Sequence, residues 1–333
     1  MIMKKWSKLG ALIAAAMLVS AVAVGCGSDA TSTDNTSSAA STDWTDIANK
    51  GKMVIGITYF EPMNYIDKST NELTGFETEF TQAVCEKLGV EPSFQKIEWE
   101  SKEVELNAKT IDCIWNGLTI NDERKENMDI STPYMENKQV MVVKKENADK
   151  YQTAEDLKGA KVVAEKKSAG EEVAKSDALF ADANYLSVDS QAKTLLEVKS
   201  GTADVAIIDY VMSIGSLGEG SDYSDLVVVD GKDFAPEQYG IALRKNSPET
   251  LAKVNAAIQE LADEGKLQEI AEKYHLEDKK IVLGVANAWN ARKGLTDLLT
   301  LAGRLGSGYQ VVLIGLIEKQ LPDIPSNVLG LLR

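Results

Sequence analysis

Strand-like runs at Met53 to Ile57, Ser93 to Ile97 and Ile111 to Trp115 are separated by stretches with helical spacing, and this alternation constrains the fold most. Strands that alternate with helices pair in parallel, because each crossover helix carries the chain back over one face of the sheet. In the first helix Phe76, Phe80, Val84 and Leu88 recur every four residues, Thr74 and Glu77 have capping-box spacing, and Gly89 stops it. A second helix is expected around Lys102 to Lys109. After the run Gln139 to Val143, the charged segment Lys144 to Lys150 reads as a crossing point. A further alternating unit begins at Lys161 to Ala164, passes a helix opening near Ala169, Gly170 and Glu171, and reaches the strand Asp204 to Ile208. The chain then returns near Gln238 to Ile241. The expected class is α/β.

Within this frame Ile111 to Tyr134 carries the chemistry. An apolar strand runs into Gly117, Leu118 and Thr119, and Arg124 follows in the first turn of a helix that Asn121 caps and that Asp122 and Glu123 suit. A guanidinium offers a planar fork that fits a carboxylate, and nearby hydroxyl and backbone groups can hold the rest of a small zwitterion.

The N-terminal residues predict an export signal. Lys4, Lys5 and Lys8 precede the sixteen-residue run Leu9 to Val24, too short for the ~20 residues a helix needs to cross a bilayer, and small residues follow. Ala23, Val24, Gly25 and Cys26 look like a lipobox, with Ala23 where Leu is usual and Cys26 as the acylated residue. Residues 1–25 are therefore expected to be a lipoprotein signal peptide. Gly27 to Asp43 holds nine Ser or Thr and no large apolar side chain, so 26–43 is expected to be a disordered tether.

Charge and rare residues remove whole classes of function. The net charge of −15 makes nucleic acid a poor partner. The single His275 leaves no usual Ser-His-Asp or Cys-His catalysis and no metal constellation, and it reads as a helix-end residue. No cofactor is expected. Cys85 and Cys113 are expected as buried free thiols rather than a disulfide, since a large core seldom needs a staple.

The tract Gly117 to Arg124 with Ile130 to Tyr134, together with Gly75-Phe76-Glu77, Asp204 to Asp209 and Gln238 to Ala242, resembles the extracytoplasmic solute-binding proteins for polar amino acids, family 3. The resemblance covers roughly Asp46 to Leu276. It implies a two-lobed periplasmic-binding-protein type II fold, with 44–142 plus 236–278 as lobe 1, 143–235 as lobe 2, and hinges near Val143 and Gln238. It further implies that Gly117 and Thr119 meet the ammonium and carboxylate of an α-amino acid, that Arg124 clamps the carboxylate, and that Asp209 accepts the ammonium. Ser168, Ala169 and Gly170 match a helix-start loop whose N–H groups meet the same carboxylate, although Ala169 lacks the usual hydroxyl. Phe60 and Trp99 match rings that sandwich the ligand.

With no acid in the first loop before Glu61, and with Trp115 and Asn116 preceding the Gly, a neutral polar side chain is expected for the ligand. The implied role is that of a monomeric lipoprotein on the extracytoplasmic face of the cell membrane, serving an ABC permease and ATPase and performing no catalysis. A ligand-presenting sensor module and a same-fold extracytoplasmic enzyme such as a dehydratase are the alternatives.

The last segment differs from the rest. Residues 279–333 carry a net charge of +4 whereas 27–278 carry −22. Its expected strands at Ile281 to Val285 and Gln310 to Ile314, with a helix to Arg304, form a short C-terminal βαβ appendage. That appendage resembles a fragment of a two-lobed glycosyltransferase, in which Arg292 and Lys293 match a diphosphate spot, and it is too short to be active.

Overall fold

The computed structural model describes residues 42–218, 220–276, 280–285 and 309–314. The expected signal peptide, the expected lipidation at Cys26 and nearly all of the expected tether lie outside them, as do Arg292, Lys293 and the helix expected to reach Arg304. No helix among the described residues is long and apolar enough to cross a membrane.

The strand-like runs form the expected parallel sheet. Lys52–Ile57 lies between Glu91–Lys96 and Cys113–Thr119, parallel to both. On the helix Phe76–Leu88, Phe76, Phe80 and Val84 are buried in the core beneath this sheet, and Gly89 ends the helix in the left-handed region at φ 70°. Its start differs from the expected capping box. Gly75 is the cap, at φ 127°, and the amides of Phe76 and Glu77 donate to the carbonyls of Pro62 and Met63 at 2.9 and 3.0 Å. A Cβ on Gly75 would stand 2.2 Å from the Met63 carbonyl oxygen, so the loop lies directly on the helix end and Glu77 is released for another duty.

Lys161–Glu165 pairs in parallel with both Asn184–Val188 and Val205–Asp209, which makes the second parallel unit. Two long antiparallel strands, Met135–Lys144 and Leu226–Arg244, run side by side and join the two units into one nine-stranded sheet. Tyr239 pairs with Thr119 in lobe 1, while Gln139 to Val142 pair with Asp209 to Ala206 in lobe 2. The first crossing therefore falls between Met135 and Gln139, ahead of the expected boundary at 142 and hinge at Val143. Gln139 to Val142 are buried strand residues of lobe 2, and apolar patterning alone does not reveal which sheet a strand joins.

The helices Pro248–Asp263 and Lys266–Lys273 return to lobe 1, where the Tyr274 hydroxyl accepts the Gly75 amide at 3.2 Å. His275 follows the last of these helices at φ 59°. Cys85 and Cys113 are buried and unpaired. Lys280–Val285 and Tyr309–Ile314 pair in parallel as a two-stranded sheet of their own.

Candidate functional site

The strand Cys113–Thr119 delivers the lobe 1 wall. Gly117 turns at φ 58°, and a Cβ there would lie 3.0 Å from Phe60 Cζ and 3.2 Å from Tyr239 Cζ, so only glycine fits the backbone between those rings. Its amide donates to Glu77 Oε1 at 2.7 Å, and Glu77 also accepts from the Tyr134 hydroxyl and from Asn64 Nδ2. Burial pushes the Glu77 carboxyl up to about 7, against those hydrogen bonds. Two residues after the strand, the Asn121 side chain caps the helix Asp122–Asn127 by accepting the Arg124 amide at 2.8 Å. The guanidinium then folds back, with Nη1 donating to the Thr119 carbonyl at 2.6 Å, and Arg124 is only 5% exposed.

Lobe 2 supplies the facing wall. Ser168 caps the helix Ala169–Ser176 by accepting the Glu171 amide at 3.1 Å. Asp209 ends the strand Val205–Asp209, and its carboxylate accepts from Asn137 Nδ2 at 2.7 Å, from Gln139 Nε2 at 2.6 Å and from Gln191 Nε2. Asn137 and Gln139 donate to Glu237 Oε1 as well, so two amides on the crossing strand bridge two carboxylates. Burial, and after it the charge of Asp209, lift the Glu237 carboxyl to about 7. The result is a negative locus beside a buried guanidinium.

These walls close on a narrow cleft whose free volume is about 10 Å³. Trp99, Asn116, Gly117, Thr119 and Arg124 line one side, and Glu165, Ser168, Ala169, Gln191 and Asp209 line the other. One carbonyl ties the sides together. Lys167, at φ 54°, presents its oxygen to Trp99 Nε1 at 3.2 Å, Lys102 Nζ at 3.2 Å and Arg124 Nη2 at 3.4 Å.

Residues 53–277 match the profile of the bacterial extracellular solute-binding proteins, family 3. The chain belongs to this family. It is 32% identical over 228 residues to the L-cystine-binding protein TcyJ of Escherichia coli K12, covering 68% of this chain and 84% of that protein. It is 29% identical over 282 residues to the arginine-binding extracellular protein ArtP of Bacillus subtilis 168, covering 83% of this chain and 100% of that one. The crystal structure of the P235GK mutant of ArgBP from T. maritima superposes with a TM-score of 0.64 at 30% identity, over 71% of this chain and 100% of that one. The two-lobed type II fold of periplasmic amino-acid-binding proteins is thus the fold of this chain.

In this family member the cleft unites most of the residues singled out from sequence. Phe60 instead lies behind Gly117, and Gly170 packs against the Ile207 carbonyl, where a Cβ would approach to 2.8 Å. Trp115 turns into the core, edge-on to Phe80 at 5.0 Å. The Asn116 amide is committed, since Oδ1 accepts from the Thr58 amide and from Asn64 while Nδ2 donates to the Thr58 hydroxyl at 2.6 Å. Glu61 lines a separate hollow beside Lys68 and Asp222. Of the grounds for a neutral polar ligand, Trp115 and Glu61 thus lie off the cleft, while Asn116 lines it with its amide already engaged. Glu165 and Gln191 line the cleft without having been among the residues expected there. The available signal for Glu165 was its place at the carboxyl end of a parallel strand, where ligand sites of α/β sheets gather.

Proposed function

We propose that this chain captures a free α-amino acid outside the cytoplasm and hands it to the permease and ATPase of an ABC importer, while tethered to the membrane through a lipid at Cys26. One observation carries the reading: Arg124 and Asp209, a buried cation and a buried anion, come from opposite lobes and line a single cleft. An α-amino acid carries both charges on adjacent groups and bridges the two walls. Its carboxylate takes the Arg124 fork, the Thr119 hydroxyl and the amides at the Ser168 and Ala169 helix start, where the helix dipole favours an anion. Its ammonium takes Asp209 and the Gly117 carbonyl, and the Trp99 ring covers one face.

Binding works by closure and involves no covalent step. The crossing strands Met135–Lys144 and Leu226–Arg244 are the connections on which the lobes turn, and donors of lobe 1 meet the Lys167 carbonyl of lobe 2 as the cleft shuts. Relatives named for cystine, arginine and glutamine binding support amino-acid cargo. A thermal-shift screen of the purified protein against the standard amino acids and cystine tests the reading. A ligand at a hundred times its Kd adds about 2.7 kcal/mol of stability. Failure of every amino acid to raise the Tm would overturn it.

A further inference from the structure

We propose that Glu165 selects the ligand's side chain, and that the ligand is an α-amino acid ending in a cationic group, a guanidinium or an ammonium. This rests on the reading of the cleft as an amino-acid site.

Glu165 closes the strand Lys161–Glu165, lines the cleft and is 3% exposed, yet its Oε1 accepts no hydrogen bond. Among the buried polar side-chain atoms without a partner in the described residues, those of Thr81, Trp115, Tyr239 and Thr250 belong to residues that do not line the cleft, whereas Glu165 does. The neighbouring polar side chains are already occupied. Asn116 serves Thr58 and Asn64, Gln191 serves Asp209, Trp99 Nε1 serves the Lys167 carbonyl, and the Ser168 hydroxyl donates to the Glu165 carbonyl at 2.8 Å. Glu165 is thus the cleft group whose side chain awaits a donor.

Charge points the same way. The zwitterionic head of an amino acid takes up Arg124 and Asp209, which leaves Glu165 among the charged residues that line the cleft, with Lys102 near it. Lys102 Nζ already donates to the carbonyls of Trp99 at 3.4 Å and Lys167 at 3.2 Å, and its neighbour Arg124 crowds it with like charge. No ion pair joins Lys102 to Glu165 in the described residues. A carboxylate buried without a partner is costly, and a cationic ligand group removes that cost while a neutral one does not. Burial holds the Glu165 carboxyl well above the ordinary range, Asp209, Glu98 and Asp189 push the same way, and Lys102 opposes them. A cation delivered beside it reverses that balance.

The test compares ligands of equal shape and different charge. Isothermal titration of the full-length protein with arginine, lysine and ornithine, and with citrulline and glutamine, reads the preference directly, citrulline being the neutral isostere of arginine. At least one cationic amino acid is expected to bind about tenfold or more tighter than citrulline and glutamine. Glu165→Gln is expected to erase that preference by weakening the cationic ligands far more than the neutral ones. Citrulline or glutamine binding the native protein as tightly as every cationic ligand would overturn the proposal. So would a Glu165→Gln protein that weakens all ligands equally, which would assign the carboxylate to balancing Lys102. Absence of binding by any amino acid would instead overturn the site reading beneath it.

Discussion

Glu77 Oε1 accepts the backbone amide of Gly117 at 2.7 Å, from inside the core of lobe 1. The contact ties the helix Phe76–Leu88 to the turn that forms the cleft floor, and it places a fully buried carboxyl where its protonation affects folding.

The Glu77 carboxyl, raised from 4.5 to about 7, keeps its proton in the folded chain where the unfolded chain has already lost it. Stability is therefore expected to fall as pH rises through this window, by at most about 1.4 kcal/mol per pH unit for one proton. Glu237, also lifted to about 7, adds in the same sense. Urea unfolding at pH 5 and pH 7 should show the fall, and Glu77→Gln should make it shallower. An equal slope in the variant would place the titration elsewhere.

Gly117→Ala would put a side chain at φ 58° and press a Cβ to 3.0 Å from Phe60. A loss of about 1 to 3 kcal/mol is expected from backbone strain and overpacking together. The urea midpoint measures it, and a variant as stable as the native chain would show that the turn relaxes freely.

Arg124→Ala and Asp209→Ala should each cost roughly 2 to 5 kcal/mol of amino-acid affinity, because each strands an opposite charge of the ligand in a buried cleft. Calorimetry giving near-native Kd values for both would remove these residues from the site.

Trp99→Phe keeps a ring in the cleft and deletes the hydrogen bond to the Lys167 carbonyl that joins the lobes at 3.2 Å. A neutral hydrogen bond contributes about 0.5 to 1.5 kcal/mol net, enough to shift a balanced equilibrium toward the open form. Small-angle scattering of the ligand-free protein should then report a larger radius of gyration than for the native chain. Identical profiles would mean that this contact does not hold the lobes together.

Removing 279–333 should leave amino-acid affinity unchanged, since the strands described there pair with each other as a sheet separate from the one that carries the cleft. Titration of the truncated and complete chains checks this, and a weaker truncated protein would give the segment a part in binding.

Local signals were readable wherever the partner lay a few residues away. The alternation of strands and helices gave the α/β class, Gly89 marked a helix end, and Asn121 captured the Arg124 amide three residues on, so the position of that guanidinium followed from short-range chemistry. The same short range misled at Thr74 and Glu77, whose spacing fits a capping box that the loop at Pro62 and Met63 displaces.

What the sequence by itself determined was the class of fold, the cap that sets Arg124 in place, and through ordered motifs the family. Only the tertiary structure decided that the chain crosses between lobes near Asn137, that Glu77 holds Gly117 from below, and that Glu165 and Gln191 enter the cleft with Asp209. Each of these depends on groups far apart along the chain, brought together by sheet register and burial, and no local pattern of residue types records which distant atom a buried carboxylate will face.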